Sequence, residues 1–402
     1  MADSRVIVNA RLPQRSGLHQ ITVEARRISA IATQADRLPP TADSTGSEID
    51  VQGDWISPGA IDLQINGAKG LAFPDLCIEQ LDRLQDICEL LWQQGVSGFC
   101  PTLVTTSLKN FHRSLKAIQA FQDHQKQHLL PNSATVLGAH LEGPFLNPAK
   151  KGAHPSEHLQ PLTLEKLKRV VDKFAQTIRI ITLAPEIGTE TDLIPWLIEQ
   201  NITVSLGHSL ATEEQANKAF SQGATMVTHA FNAMPGLHHR EPGLLGAALT
   251  NPSVFCGFIA DGEHISKTML DLLLRADRAS SWQNSNDSDR QNQRTTTLFL
   301  VSDALSPLGL PDGVYPWDSR QIAVVNGTAR LLNGTLSGTT LPLIAGAQNL
   351  VQWGLCSVEE AITLVTTTPR QAIHHPGIQI HQPAQLLRWS YRSDQLRWQW
   401  LL

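Results

Sequence analysis

Eight short apolar runs, at 60–65, 96–104, 134–141, 178–183, 202–206, 225–228, 254–260 and 297–301, alternate with amphipathic stretches through the middle of the chain. Each run is nearly continuous in apolar residues. That pattern marks a strand covered on both faces, as in a parallel sheet. Between the runs the periodicity turns helical. Within 78–94, Leu81, Leu84, Cys88 and Leu91 fall on one face before Gly95 ends the helix. Thr212 and Gln215 have capping-box spacing at the start of a helix that stops at Gly223. Segments 162–173 and 266–276 also read as helices. Eight strands with interleaved helices predict an α/β fold, a closed (β/α)8 TIM-type barrel over residues 58–374. The competing arrangement is an open doubly wound sheet, but no Gly-rich dinucleotide loop follows the first strand.

The two ends of the chain read differently. Residues 5–8, 19–23 and 28–31 are short β-like runs separated by Pro, Gly and Ser, and the last residues hold three more, IQI, QLLRWS and LRWQW. Neither end is large enough to be stable alone. Together, 1–57 and 375–402 predict a small β-sandwich domain built from both termini. Two segments break the barrel rhythm. The polar stretch 280–296 reads as an inserted surface loop. Segment 320–338 carries two Asn-Gly pairs, at 326–327 and 333–334, and predicts a hairpin between the eighth strand and the last helices.

Composition narrows the function classes. The 402 residues carry a net charge of -5 with no basic region, which argues against nucleic acid as a partner. No run approaches the roughly 18 apolar residues of a membrane span, and the N-terminus has no apolar signal region. The five cysteines form no CxxC pair and read as reduced core thiols. The expectation is a cytoplasmic protein that binds neither membrane nor nucleic acid.

In a barrel, chemistry sits where the strands end. The third strand runs into His140 and Glu142, the fifth into His208, the sixth into His229 and Asn232, the seventh into Asp261 and His264, and the eighth into Asp303. One carboxylate and two imidazoles from three strands could hold a divalent metal with a position left for water. Such a metal lowers the pKa of its water toward neutrality, and a carboxylate on the eighth strand could serve as the base. Taken singly, each has a plainer reading. A lone strand-end His is more often a hydrogen-bonded structural residue, Glu142 could be a solvated loop carboxylate, and Asp303 could cap the next turn. Their joint occurrence, each in phase after an apolar strand, favours the metal site. His140 reads equally as support for that site or as core.

A family resemblance runs through the same residues. The stretches PGAIDLQING (58–67), HLEGPFL (140–146), GHS (207–209), THAFNAM (228–234), REPG (240–243), ADGEH (260–264), VSDA (301–304) and LSG (336–338) resemble the N-acetylglucosamine-6-phosphate deacetylases of the amidohydrolase superfamily, in order along nearly the whole chain. The resemblance implies that Glu142, His208 and His229 are metal ligands and that Asp303 is the catalytic acid/base. It places Asn232, Ala233 and Arg240 at the phosphate, His264 near the acetamide, and Ala153, His154, Asp261, Leu336, Ser337 and Gly338 among substrate contacts. Arg240 can come from the neighbouring subunit in this family, which implies a homodimer. The implied reaction converts N-acetylglucosamine 6-phosphate to glucosamine 6-phosphate and acetate, with His264 helping to stabilise the oxyanion. The competing readings are an amidohydrolase for another amide, such as a cyclic imide or N-acyl amino acid, and a barrel that binds without catalysing.

Two departures are informative. Where many superfamily members carry His-x-His after the first strand, this chain has Gln64 and Asn66. Carboxamides are poor zinc ligands, so one divalent ion per subunit is expected, with zinc first and iron, manganese or cobalt compatible. Near the C-terminus, QPAQLL (382–387) replaces the family's usual Ala-Asp-Leu. That change falls in the small domain and should affect packing.

Overall fold

The structure is a computed structural model that describes residues 4–36, 47–283, 296–318 and 320–402. Eight parallel barrel strands lie where the apolar runs place them. The first is Ala60–Ile65, the second Val96–Val104, the fourth Ile178–Leu183 and the fifth Thr203–Leu206. The sixth, seventh and eighth shorten to Met226–Val227, Phe255–Phe258 and Leu298–Leu300. The third divides into Thr135–Val136 and Ala139–Glu142, because Gly138 at φ 133° interrupts the extended backbone. Neighbouring strands pair in parallel from first to eighth. The ring nearly closes through a bridge between Ile65 and Ala304, with Asp303 N–H donating to Gln64 O and Asn66 N–H to Ala304 O.

The helices form where their periodicity places them. Leu81–Gln93 buries Leu84, Ile87, Cys88 and Leu91. Thr212 and Gln215 form the capping box that opens Glu213–Ser221. The expected helix over 162–173 is Leu164–Val171 followed by a 3-10 turn, and the one over 266–276 extends to Gln283. Among the described residues, Leu108–Gln127, Leu343–Gln352 and Val358–Ala372 add further long helices.

At the chain ends, Ser4–Ala10, His19–Glu24, Arg27–Thr33 and Ser47–Asp50 make one four-stranded sheet, and Trp55–Pro58, Leu386–Arg392 and Gln395–Trp400 make a three-stranded one. They share an apolar core that includes Ile7, Ile21 and Ile28 from the first and Ile56 and Leu386 from the second. The IQI segment at 378–380 is not a strand; it lies in a loop beyond the last helix. The C-terminal hairpin also packs on the barrel, where the Trp400 ring stacks on Trp92 with centroids 3.8 Å apart.

The expected hairpin at 320–338 is larger than read. Gly313–Trp317, Arg320–Val325, Thr328–Leu331 and Leu336–Thr339 form a four-stranded antiparallel sheet. Asn326 and Gly327, at φ 50° and 79°, make its tight turn. Most of the polar stretch 280–296 lies outside the described residues.

Candidate functional site

Glu142 ends the third barrel strand, and His208 and His229 come just after the fifth and sixth. All three are buried. Glu142 Oε1, His208 Nε2 and His229 Nε2 form a triangle with every side 3.0 Å. The His208 Nδ1–H donates to Lys150 O at 2.9 Å, which leaves a lone pair on Nε2. Two or three lone pairs therefore face one another across 3.0 Å, an arrangement that needs positive charge between them. Ligands about 2.0–2.1 Å from a tetrahedral ion sit roughly 3.3 Å apart, so the donor set fits a divalent metal. When the two rings instead carry a proton on Nε2, their hydrogen bonds outweigh the burial that pushes the Glu142 carboxyl up and hold it well below its usual range. His229 is pushed down by burial and pulled up further by Glu142, ending above its ordinary value.

Asp303 lies across from this triangle. Asn66 Nδ2 donates to its Oδ1 at 2.8 Å, and Gln64 Nε2 donates to the same oxygen at 3.3 Å and to Glu142 Oε1 at 3.0 Å. Burial, then the charge of Glu142, raises the Asp303 carboxyl to about 6. The carboxamides of Gln64 and Asn66 thus present N–H groups, not lone pairs, and hold two carboxylates in place. The backbone is strained at the same points: His208, His229 and Asp303 have φ of 49°, 29° and 49°. Such conformations persist only where the surroundings enforce them.

The triangle and Asp303 open onto a cavity of about 730 Å³. Ala153, His154, Asn232, Ala233, His264, Leu336 and Ser337 are on its wall. Asp261, Arg240 and Gly338 are not. Asp261 Oδ2 instead accepts the Nδ1–H of His264 at 2.6 Å, fixing that ring. Burial pushes Asp261 up, but the His264 hydrogen bond and charge outweigh it and leave it below the usual range. Arg240 is on an exposed loop, and Gly338 packs beneath Asp303 and Leu305. His154 Nδ1 accepts Thr105 N–H at 3.2 Å, so its proton is on Nε2, 4.0 Å from Glu142 Oε2. It turns an N–H toward that oxygen from beyond hydrogen-bond distance and is not a fourth ligand; burial, and then positive charge on His208, lower it to about 3. His140 stays out of the triangle. Its ring bonds Leu63 O and Thr182 Oγ1, within a buried hydroxyl chain through Thr228 to Ser205. Burial lowers it to about 4. Lys151, read from the sequence as a loop charge at the entrance, is on the cavity wall, and Trp317, Asp318 and Arg320 join it, unforeseen because nothing in the strand pattern says which barrel end the inserted sheet covers.

The chain is 35% identical over 332 residues to N-acetylglucosamine-6-phosphate deacetylase of Bos taurus, an overlap of 81% of this chain and 76% of that one. It belongs to the N-acetylglucosamine-6-phosphate deacetylase family. An N-acetylgalactosamine-6-phosphate deacetylase of Escherichia coli O157:H7 is 31% identical over 369 residues, 92% of this chain and 85% of that protein. The crystal structure of the Pasteurella multocida N-acetylglucosamine-6-phosphate deacetylase superposes with a TM-score of 0.79 at 27% identity, covering 99% of this chain and all of that one. No protein-family model matches the chain. Membership makes this an amidohydrolase-type hydrolase, and its members' use of a divalent metal agrees with the donor set of the triangle.

Proposed function

We propose that this enzyme hydrolyses the 2-acetamido group of N-acetylglucosamine 6-phosphate, giving glucosamine 6-phosphate and acetate. The observation that carries the reading is the buried Glu142–His208–His229 triangle facing Asp303 in a chain of this family. Zinc is the ion best matched to one carboxylate and two imidazoles, with iron, manganese or cobalt compatible. When bound, the ion supplies Lewis acidity that acidifies water and polarises the amide carbonyl. Asp303, held by Asn66 and Gln64, takes a proton from the attacking water. It returns that proton to the amide nitrogen as the C–N bond breaks, since an amine anion is too poor a leaving group. His264, fixed by Asp261, faces the developing oxyanion.

Asn232 and Ala233 take the phosphate from the cavity wall, and Arg240 reaches it from a neighbouring subunit of a homodimer. Its exposed position, away from its own cavity, supports that assignment. The chain is read as a barrel domain over 58–374 and a terminal β-domain from 1–57 and 375–402. A reducing, cytoplasmic setting is supported by five free cysteines.

The test is acetate release by purified enzyme, with and without a chelator, from N-acetylglucosamine 6-phosphate, its galactosamine epimer and the unphosphorylated sugar. Fast, chelator-sensitive release that prefers the first is expected. Preference for the epimer would move the substrate to that of the Escherichia coli O157:H7 relative. No release after metals are restored would overturn the reading.

A further inference from the structure

The sheet at 313–339 touches the catalytic end of the barrel at three places, one of them the pair of Arg330 Nη2 with Glu263 Oε2 at 3.0 Å in the loop that holds His264. Its last strand, Leu336–Thr339, holds the segment that carries Asp303. Thr339 Oγ1 donates to Ser302 O at 2.9 Å, Leu305 N–H donates to Thr339 O at 2.9 Å, and Thr339 N–H donates to Asp303 O at 3.4 Å. Its second strand begins at Arg320, whose Nη2 donates to Ala153 O at 2.8 Å. Among the described residues this is the hydrogen bond that joins the sheet to the loop at 150–154.

That loop supports the cation site from its other side. Lys150 O accepts the Nδ1–H of His208 and so decides which nitrogen faces Glu142. Gly152, at φ 57°, is close enough that an added Cβ would lie 3.5 Å from His208 Cε1. His154 is anchored two residues further on, and Lys151 Nζ closes the turn onto His154 O at 3.2 Å. The Arg320 arm is itself held. Its Nε donates to Asp318 Oδ1 at 3.0 Å, its Nη2 to Oδ2 at 2.5 Å, and the guanidinium lies 5.7 Å from the Trp317 ring centroid. Asp318 matches its charge, so the free geometry of the fork serves a carbonyl and not an anion. A planar guanidinium holds Asp318 and Ala153 in one fixed fork, whereas an ammonium has donors enough but no such fixed geometry.

We propose that Arg320 is a positioning residue: through Ala153 it fixes the loop that orients His208 and His154, so that the inserted sheet spans the cavity mouth and sets the imidazoles against Asp303. The proposal rests on Glu142, His208 and His229 being metal ligands.

The experiment measures zinc dissociation by competition with a chromogenic chelator for the parent, Arg320→Met and Arg320→Lys, with thermal melting and the kcat and KM of each. Arg320→Met should weaken zinc binding about tenfold, as expected for loss of a group that orients a ligand, and lower kcat more than it raises KM. Arg320→Lys should fall between. Zinc affinity equal to the parent's in both variants overturns the proposal, even if melting falls, since the arginine would then serve sheet packing alone. If Arg320→Met does not fold, Asp318→Asn loosens the same arm; weaker zinc binding supports the clamp and unchanged binding overturns it. A parent enzyme that binds no zinc or other divalent ion would fail the metal reading itself, a result distinct from either.

Discussion

Asp303 and Asp62 are two buried carboxyls with opposite demands. Asp303 must give and take a proton, and its amide partners Asn66 and Gln64 hold the carboxylate without adding charge. Asp303→Asn keeps the shape and removes the proton acceptor. It should lower turnover by about 10²–10⁴-fold while metal content stays near that of the parent. Near-normal acetate release would take Asp303 out of the base role. Asp62 has no such task. It is 1% exposed and accepts Gln64 N–H and Ser302 N–H, and burial raises it to about 7. A carboxyl whose folded pKa lies above its unfolded value favours folding most when protonated. Stability therefore falls as pH climbs from about 3.8 to about 7, then levels. Asp62→Asn keeps the acceptor oxygen and removes this penalty, at most about 4 kcal/mol. Urea unfolding should show the variant gaining on the parent from pH 5 to pH 8. A gap that does not widen with pH would mean that Asp62 is already ionised in the folded state at pH 5, as an ordinary carboxyl would be.

At the scale of the element, the barrel edge beneath the imidazoles has no spare room. A Cβ on Gly207 would come within 2.8 Å of Thr228 Cβ and 3.0 Å of Thr182 Cγ2. Gly207 precedes His208 and Thr228 precedes His229, so Gly207→Ala should shift both imidazoles together. The expected cost is about 1–3 kcal/mol of stability, with weaker metal binding alongside. Unfolding and zinc titration measure the two effects, and full metal affinity in a destabilised variant would separate packing from ligand placement. These elements were legible because parallel strands buried on both faces leave continuous apolar runs, and Glu142, His208 and His229 stand at the C-terminal ends of three such runs. Other contacts leave no such trace. Gln64 meets Asp303 across a sequence separation of 239, and Arg320 meets Ala153 across 167. The Asn-Gly pairs announced a turn, but not four strands, nor that their sheet would line the cavity. His140 shares strand phase with Glu142, yet local hydrogen bonds to Leu63 and Thr182 claim its ring.

At the scale of the whole molecule, Arg240 stands apart from the cavity of its own chain. The cavity wall has cations at Lys151 and Arg320, but Lys151 Nζ is engaged by His154 O and Arg320 by Asp318. Arg240 is exposed on the loop after Met234 and is outside its own cavity. If it serves a neighbouring subunit, each site of a homodimer is built from two chains. Arg240→Ala should then raise KM for the phosphorylated sugar far more than for the unphosphorylated one. Mixing gives the sharper test. Arg240→Ala subunits retain Asp303, and Asp303→Asn subunits retain Arg240, so a mixed dimer has one intact site. Random reassortment of equal amounts makes half the dimers mixed, which should restore about a quarter of parental activity. Activity that stays at the mean of the two parents after verified subunit exchange would place Arg240 in its own chain's site, or away from the phosphate altogether. An effect of Arg240→Ala on the phosphorylated substrate alone would then distinguish those two outcomes.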